Sequence, residues 1–517
     1  MSLPVLVVGG GHNGLVAACY LAKAGREVLV LEQSDAPGGG SRTEQTVPGY
    51  RFDTHSVAHN IINMTVVPAE LDLAGAGLRY VEMEPFAAGF FADGRVARFS
   101  RSVEQTVAGL AEHSRAEADA YAAFMHRALP LVDTAVTGLQ GGATAAGAVR
   151  EALGKLLPVV RAVRRSGGLG AMLHDLVMPY GALLERDLHS DLTRAPVASF
   201  AAHSSAGPHL PGSAFYALWQ AAYHRHGQWH AVGGSQGLTD ALVHRLTSYG
   251  GKVRTGAAVT RIDATGGRVR GVELAGGERI EAAQVVTATD VQLALLELLD
   301  PPLGGRPGAE LRAAHRGNAV QMLVHVAVDR LPAYPGARAG DWNGLQSHVE
   351  TLEELRRGFL AAEAHRLPDP APTYAFTTSA LDPTLAPPGR HTVYLACPCA
   401  PYDVEGGWGA HEERFTEAML DSMERQAPGF RSTITGLSVR TPERMARELA
   451  WPGAHPMHLD ISLDQLAFQR PTRLLASHVV PGVDGLFCSG AGTAPVGGIA
   501  GSPGRAAARA LLASTGR

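Results

Sequence analysis

The chain opens with two short apolar runs separated by a segment of helical periodicity. The first run, Val5–Val8, is uninterrupted, as expected of a parallel strand that is covered on both faces. Residues 15–24 repeat apolar positions at helical spacing, and Gly25 follows as a stop signal. The second run is Val28–Leu31. The pattern predicts a βαβ unit of about 30 residues.

Further along, helical and strand-like stretches alternate. Residues 85–230 are rich in Ala, Leu and Arg at helical spacing and carry few strand signals, whereas residues 251–290 break into short β-like runs between glycine turns. Later elements are predicted as strands at 320–328, 391–397 and 485–489, a Pro-rich connector at 367–389 and a closing helix at about 501–514.

Segments of the nucleotide-binding type are therefore far apart in sequence. We predict an α/β fold in which one parallel-sheet domain is assembled from three segments, and the intervening segments form a second domain with a mixed sheet and helices. The predicted boundaries are 1–85, 231–300 and 476–517 for the first domain, and 86–230 and 301–475 for the second.

The turn after the first strand is rich in glycine. Gly9, Gly11 and Gly14 fit the pattern G-x-G-x-x-G, in which the first glycine permits a tight turn, the second admits a pyrophosphate and the third lets the helix pack on the strand. His12 and Asn13 complete the turn. Phosphates bound there would meet free N–H groups at the positive end of a helix. The order of strand, turn and helix predicts a dinucleotide site.

An acidic residue and a second glycine turn select among the dinucleotides. Glu32 ends the second strand 18 residues after Gly14, where its carboxylate can accept hydrogen bonds from ribose hydroxyls. Residues 37–43 form a glycine turn close behind it, which favours FAD over NAD. The residues expected at the cofactor in this stretch are Glu32, Gln33, Gly38, Gly39, Arg42 and Thr43.

The end of the chain adds a further glycine-rich turn. Residues 486–504 place a predicted strand end and a helix start together, with Gly490, Gly492, Gly498 and Ile499 between them. The positive end of that helix could face the flavin N1–C2=O edge and stabilise the anionic reduced ring. We therefore expect these four residues at the cofactor as well.

Together these motifs resemble FAD-dependent oxidoreductases of the phytoene desaturase (carotenoid desaturase) type. Within that group the chain is most similar to the branch named for pyridine nucleotide-disulphide oxidoreductase domain-containing protein 2. The stretches that carry the resemblance are residues 7–18, 233–242, 379–391, 464–465, 470–471 and 488–507.

The resemblance implies a glutathione-reductase-like FAD-binding domain of the Rossmann type and a substrate domain over the flavin. It also implies that Val259 lies beside the adenine end and that Ala288 lies near the cofactor. The family often carries Arg directly after the Gly-Gly pair. This chain has Gly40 there and Arg42 two residues later, which leaves open whether an arginine contacts the pyrophosphate.

Ionisable residues in two stretches are candidates for acid–base chemistry. Asp53 and His55 follow the second glycine turn, where the chain of the family passes toward the flavin ring, and His230 closes a histidine-rich stretch that begins at residue 223. The alternative is that Asp53 and His55 hold the turn through hydrogen bonds. The stretch 223–230 could line the substrate pocket or pack elsewhere. A metal site there is disfavoured because no carboxylate or thiol neighbours the histidines.

Composition removes several classes of function. The chain has 517 residues and a formal net charge of −4, so no positive field would collect nucleic acid. Its four cysteines contain no C-x-x-C, and Cys397 and Cys399 fall on one face of a predicted strand, which indicates buried thiols. The N-terminus lacks the basic start of a signal peptide, so we expect a cytoplasmic protein.

Residues 149–165 combine arginines with apolar residues at helical spacing. Such a segment can lie on an anionic membrane, although Pro158 is expected to interrupt it. Packing within the substrate domain is the favoured alternative, and the sequence leaves the oligomeric state open.

The sequence thus predicts a flavoenzyme that takes a hydride from a largely apolar small molecule to flavin N5. No second G-x-G-x-x-G follows a strand, so electrons should leave to oxygen, a quinone or a protein. Two alternatives stay open: an isomerase without net redox, and a non-catalytic flavoprotein. The substrate would be lipophilic or aromatic.

Overall fold

The computed structural model describes residues 3–140 and 156–514 of the chain. Its strands are β1 Val5–Val8, β2 Val28–Leu31, β3 Thr43–Val47, β4 Tyr50–Asp53, β5 Tyr80–Glu82, β6 Ala87–Phe90, β7 Val96–Phe99, β8 Trp229–Ala231, β9 Lys252–Arg254, β10 Val259–Asp263, β11 Gly271–Leu274, β12 Arg279–Glu281, β13 Gln284–Thr287, β14 Leu299–Asp300, β15 Ala319–Val328, β16 Leu345–Ser347, β17 Tyr374–Phe376, β18 His391–Pro401, β19 Ile434–Arg440 and β20 Leu486–Cys488.

The α-helices are α1 His12–Lys23, α2 Asn60–Asn63, α3 Val67–Glu70, α4 Val103–Ala111, α5 Arg115–Gln140, α6 Leu156–Arg165, α7 Leu169–Val177, α8 Tyr180–Asp187, α9 Asp191–Ala201, α10 Ala214–Leu218, α11 Gln220–His226, α12 Gln236–Ser248, α13 Gly305–Ala313, α14 Leu352–Glu363, α15 Glu412–Gln426, α16 Pro442–Leu449 and α17 Ser502–Ser514. A π-helix covers Leu293–Leu298. None of the helices in the described ranges combines the length and the apolar character that crossing a membrane requires.

A five-stranded parallel sheet has the order β20-β13-β1-β2-β9. Its central strand β1 is fully buried, with Val5 and Val7 in one apolar cluster and Leu6 and Val8 in another. Because successive side chains point to opposite faces, both faces of the strand are covered. Strands from all three predicted segments of the first domain meet in this sheet, which supports the domain boundaries; these stay a prediction.

A mixed seven-stranded sheet forms the second layer, in the order β19-β15-β18-β17-β16-β6-β7. Its pairs are antiparallel except for β16 and β6, which run parallel. Cys397 and Cys399 are fully buried on β18 with their sulfurs 4.0 Å apart, as the spacing predicted. The predicted fold class, a parallel-sheet α/β domain with a mixed sheet and helices, is confirmed.

One expectation about the segment 85–230 is wrong. It contains strands β6 and β7, which sequence reading missed because Ala, Gly and Arg weaken their β signal; pairing of β6 with β16 stabilises them. Pro158 is the third residue of the described helix α6, and its expected interruption of the segment 149–165 stays a prediction. The part of the amphipathic segment 149–165 before Leu156 lies outside the described residues.

Candidate functional site

One cavity of about 470 Å³ runs from the parallel sheet to the mixed sheet. Most of the residues predicted at the cofactor line it, as does one acid–base candidate: Gly9, Gly11, His12, Asn13, Glu32, Gln33, Gly39, Arg42, His55, Val259, Ala288, Gly490, Gly498 and Ile499. Predicted site residues that are not part of the lining are Gly14, Gly38, Thr43, Gly492, Asp53 and His230.

Two glycine turns pair along their backbones at one end of the cavity. The N–H of Gly38 donates to the carbonyl of Gly10 at 2.9 Å. A Cβ added at Gly11 would meet no atom within 4 Å, so it would enter the cavity, whereas one at Gly14 would lie 2.1 Å from the carbonyl oxygen of Gly9. Gly11 therefore leaves space for a ligand at the backbone, and Gly14 lets α1 pack on the β1 turn.

The Glu32 carboxylate is held in place by backbone donors. Its Oε2 accepts from the N–H of Gly10 at 2.8 Å, and its Oε1 accepts from the N–H of Ser34 at 2.9 Å. Each carboxylate oxygen retains a further lone pair. The fixed carboxylate can thus accept hydrogen bonds from ribose hydroxyls in the cavity.

The first turn of α1 carries polar groups that the chain itself does not satisfy. Both side-chain polar atoms of Asn13, Oδ1 and Nδ2, are buried and have no partner among the described residues. Nε2 of His12 lies 3.0 Å from the carbonyl of Gly498 and joins this turn to the last glycine turn. Burial lowers the pKa of His12 to about 4, so the ring is neutral. Free amide groups at a helix N-terminus suit a phosphate-bearing ligand, and the residues present fit a dinucleotide.

The segment 449–458 forms one wall of the cavity and explains the departure at Gly40. A Cβ added at Gly40 would lie 2.6 Å from Cη2 of Trp451, so a larger residue cannot stand there without moving the indole. Arg42 lines the cavity instead and pairs with Asp35 at 3.1 Å and Glu44 at 3.0 Å.

Sequence reading gave Arg470 no role, yet it is the largest fully buried side chain in the described structure. Burial lowers the pKa of this guanidinium to about 10. Its donors bond to the carbonyls of Met457, Leu459, Asp460, Gln465 and Ala491. Arg470 therefore joins the wall segment to the turn after β20. The family resemblance includes residues 470–471, but no local pattern gives Arg470 a role that separates it from the 41 other arginines.

His55 is the acid–base candidate that reaches the cavity. Its ring meets Trp451 edge-on with centroids 4.7 Å apart, and its Nδ1 is buried without a partner among the described residues. Burial, with smaller contributions from Arg440 and His458, lowers its pKa to about 4. The imidazole is therefore neutral and able to accept a proton.

Asp53 and His230 belong instead to a buried network behind the cavity wall. Oδ1 of Asp53 accepts from the N–H of Ser235 and from Oγ1 of Thr43, each at 2.7 Å. Oδ2 of Asp382 accepts from the N–H of Gly233 at 2.6 Å and lies 3.2 Å from Nε2 of His230. The turn 233–235 is thus clamped by two carboxylates. These contacts, and the place of both side chains outside the cavity lining, favour a positioning role for Asp53 and His230, whose catalytic role stays a prediction.

The charge states in this network are coupled. Burial raises the pKa of Asp53. Burial also lowers the pKa of His230, but the Asp382 hydrogen bond and the charges of Asp53 and Asp382 outweigh it, so this pKa is raised overall. The pKa of Asp382 is lowered, against the effect of burial, by its bonds to His230, Thr384 and Gly233. The geometry supports a protonated His230 paired with an ionised Asp382.

The other end of the cavity is aromatic. Strands of the mixed sheet contribute Gln321, Leu345, Tyr374, Phe376 and Tyr394, and the helical layer contributes Phe200, His203 and Tyr223. The two layers touch where the rings of His203 and Tyr374 lie 4.2 Å apart. We call this end of the cavity the aromatic chamber. Only Tyr223, with Gln228 from the same stretch, falls in the 223–230 region that sequence reading flagged for the pocket.

The aromatic chamber is also uncharged. Burial lowers the pKa of His203 to about 4 and raises that of Tyr223 to about 12. Burial raises the pKa of Tyr374 and Tyr394 above the usual tyrosine range as well. At neutral pH none of the described residues at this end is ionised, so the chamber suits a neutral, largely apolar molecule.

A parallel sheet with paired glycine turns, joined through one cavity to a mixed sheet, defines a dinucleotide-dependent enzyme. The chain belongs to the family of flavin-containing amine oxidoreductases, whose model matches residues 14–511. It is an FAD-dependent oxidoreductase, and the predicted cofactor and resemblance are confirmed.

Relatives cover nearly all of the chain. It is 31% identical to pyridine nucleotide-disulfide oxidoreductase domain-containing protein 2 of Rattus norvegicus, over 98% of this chain and 93% of the relative. It is 26% identical to a lycopene-forming phytoene desaturase of Paracoccus, over 98% and 96%. The chain also aligns with the structure of an oxidoreductase from Methanosarcina mazei over 100% of both chains, at a TM-score of 0.62 and 16% identity, which shows a shared fold.

Proposed function

We propose that the protein dehydrogenates a neutral, largely apolar small molecule held in the aromatic chamber. The observation that carries this proposal is the uncharged lining of that chamber, which continues directly into the cofactor end of the same cavity. The glycine turns, Glu32 and Asn13 would hold FAD. When bound, FAD supplies the redox chemistry by accepting a hydride at N5.

The residues of the chain orient the substrate and exclude water. Aromatic walls from two layers bury an apolar body, and ring faces favour flat or unsaturated molecules. Tyr394 donates from its hydroxyl to the carbonyl of His55 at 2.8 Å, so the floor of the chamber is tied to the segment that carries the acid–base candidate.

Forming a double bond also releases a proton from the neighbouring substrate atom. The proposed acceptor is Nδ1 of His55, because this atom has no other partner among the described residues and the ring is neutral. Asp53 and His230 would act through the clamp on the turn 233–235, which also holds the carbonyl of Ser56 through the Ser235 hydroxyl.

Anaerobic mixing of the holoenzyme with a panel of apolar alcohols, amines and polyenes tests the proposal. We expect at least one member to bleach the visible flavin absorbance, with a product that has lost two hydrogens. A product of unchanged mass would support the isomerase instead, and a flavin that no member bleaches would support a non-catalytic flavoprotein. Reoxidation by oxygen, a quinone or a protein acceptor then identifies where the electrons leave.

A further inference from the structure

One histidine in the aromatic chamber keeps a free acceptor atom. His203 lies in the short 3₁₀-helix Ala202–Ser204 that follows α9, and it lines the chamber. Its Nδ1 lies 3.0 Å from the carbonyl oxygen of Phe200. A carbonyl can only accept, so Nδ1 carries the proton of the neutral ring and Nε2 is the acceptor. Nε2 is buried and has no partner among the described residues.

This free nitrogen lies on the edge of the ring that faces away from its own helix. Nδ1 bonds back to the carbonyl three residues earlier, so Nε2 is the distal nitrogen. The ring contacts both walls of the chamber, since its centroid is 5.8 Å from that of Phe200 in the helical layer and 4.2 Å from that of Tyr374 in the mixed sheet. The acceptor is therefore held where a bound molecule would meet both walls.

Gln228 adds a second oxygen without a partner to the same lining. The side chain is buried, and its Nε2 lies 3.4 Å from the sulfur of Met83, a weak acceptor. Its Oε1 has no partner among the residues that the structure describes. Rotation of this amide would exchange its oxygen and nitrogen, whereas the Phe200 carbonyl fixes the tautomer of His203. His203 therefore sets the stricter requirement on a ligand.

A free acceptor in an apolar chamber selects a ligand that carries a donor. A ligand that covers Nε2 without donating to it leaves this nitrogen desolvated and unpaired, which weakens binding. Water in the empty chamber does not remove the requirement, because a ligand that displaces the water must replace its hydrogen bond. A pure hydrocarbon thus fits the chamber less well than a molecule of the same shape with one O–H or N–H group.

A row of aromatic rings separates the free acceptor from the acid–base candidate. The ring of Tyr374 lies between His203, at 4.2 Å, and Phe376, at 6.1 Å. Tyr394 follows Phe376 at 6.3 Å, and its hydroxyl donates to the carbonyl of His55 at 2.8 Å. A molecule that reaches both histidines must be elongated, with its donor at the end opposite to the bond that is oxidised.

We propose that the substrate is an elongated, neutral, apolar molecule with one hydrogen-bond donor at its end, such as a terminal alcohol, and that this donor binds Nε2 of His203. The inference rests on the proposed function, because it names the substrate class of the same chamber. His203 determines specificity and takes no part in the transfer of the hydride. The apolar body lies along the row of rings and places the bond to be oxidised toward the cofactor end.

Binding of matched ligand pairs to the holoenzyme tests the proposal. The probes are straight-chain phenylalkanols of increasing length, each paired with the alkyl fluoride of the same length, because fluorine is close in size to a hydroxyl group and does not donate. Isothermal titration calorimetry gives Kd without requiring turnover. We expect the alcohol that binds best to bind at least about tenfold more tightly than its fluoride, which corresponds to about 1.4 kcal/mol.

Three variants separate the acceptor from the shape of the wall. His203→Phe keeps a ring but removes the acceptor, so the preference for the alcohol should disappear. His203→Gln, whose side-chain oxygen can accept in place of Nε2, should keep part of the preference. Phe376→Leu is the matched control in the apolar wall: it should weaken alcohol and fluoride alike and leave their Kd ratio unchanged. FAD content and thermal unfolding confirm that each variant is folded.

Two results would overturn the proposal. One is a wild type that binds no alcohol more tightly than its fluoride, and the other is a His203→Phe variant that keeps the wild-type ratio. Anaerobic flavin reduction on the same samples tests the proposed function separately. Selective binding of alcohols without reduction by any compound would support the anchor and contradict the dehydrogenase, whereas reduction by a polyene hydrocarbon without selective binding of alcohols would do the reverse.

Discussion

The two ends of the cavity are built in opposite ways. At the cofactor end the space for a ligand exists because glycines such as Gly11 and Gly39 have no side chain. Polar groups of Glu32 and Asn13 line that space. At the substrate end the space is enclosed by large rings, including Tyr374 and Phe376. One end presents backbone and charge, and the other presents neutral side chains.

This difference teaches how each end tolerates change. A cradle of backbone N–H groups depends on space, so one added methyl group can block it. An aromatic wall depends on summed apolar area, so a single substitution weakens binding without abolishing it. Substrate preference is therefore easier to alter in this molecule than cofactor preference.

The largest effect is expected from Gly11→Ala. The new Cβ would enter ligand space but strike no protein atom, and the φ of −68° at this N-cap suits alanine. We expect FAD affinity to fall about a hundredfold, which is a cost of about 2.7 kcal/mol at the upper end of the overpacking range, with unfolding of the apoprotein unchanged. Titration of apoprotein with FAD measures the affinity. Gly109→Ala, whose Cβ also meets no atom, is the control, and full FAD binding by Gly11→Ala would contradict the backbone cradle.

At the other end, Phe376→Ser should spare the cofactor and weaken the substrate. Losing the apolar contact of one buried phenyl ring costs about 2 kcal/mol, so KM should rise about thirtyfold while FAD stays bound in equal stoichiometry. Steady-state kinetics with the best substrate from the panel gives KM. Phe376→Leu, which keeps most of the apolar area, should recover most of the loss. A variant that loses FAD would show that the two ends are not separable.

The stability of the protein should decrease at acidic pH because of His203 in the aromatic chamber. Burial lowers its pKa from 6.5 to about 4, so the folded state binds fewer protons than the unfolded state between those pH values. The free energy of unfolding therefore decreases as pH falls from 6.5 toward 4, because the unfolded state gains the proton first. His203→Phe should be more stable than the wild type at pH 5, relative to pH 8, by about 2 kcal/mol. Urea unfolding at both pH values measures it, with exposed His189→Phe as control; equal pH dependence would mean that His203 is not buried and neutral.

The smallest effect is expected from Glu32→Gln. The amide keeps the shape of the side chain and one oxygen, but its NH2 group replaces the other oxygen, which accepts from the N–H of Gly10 or Ser34. It also loses a charge-assisted hydrogen bond to ribose. FAD affinity should fall about fivefold, for a cost of about 1 kcal/mol. The same titration measures it, and Glu27→Gln on the exposed end of the preceding turn is the control. An unchanged affinity would place the ribose elsewhere.

Sequence reading was reliable where structure is local. The βαβ unit, the first two glycine turns and Glu32 lie within about 40 consecutive residues, and their order carries the information. Strand β6 was not predicted because its Ala-rich sequence has a weak strand signal. Its pairing partner β16 lies more than 250 residues later in the chain. The short runs of β10 and β13 were found because flanking glycines delimit them.

The aromatic chamber could not be predicted in the same way. Its rings come from helices and strands between residues 200 and 394, and nothing in the local spacing joins Phe200 to Tyr394. Asp53 was predicted near chemistry because it follows a cofactor turn. In the structure its carboxylate accepts from the N–H of Ser235, the residue just before α12. Position along the chain predicted its neighbourhood but not the direction in which its carboxylate points.

The clamp on the turn 233–235 has a consequence for building hybrids with relatives. One of its carboxylates, Asp53, ends strand β4, and the other, Asp382, lies between β17 and β18 of the mixed sheet. Replacing either segment by one without its carboxylate would leave the N–H of Gly233 or Ser235 without its acceptor. A functional chimera must therefore carry both carboxylates together with the turn that they hold, so these three segments should be exchanged as one unit.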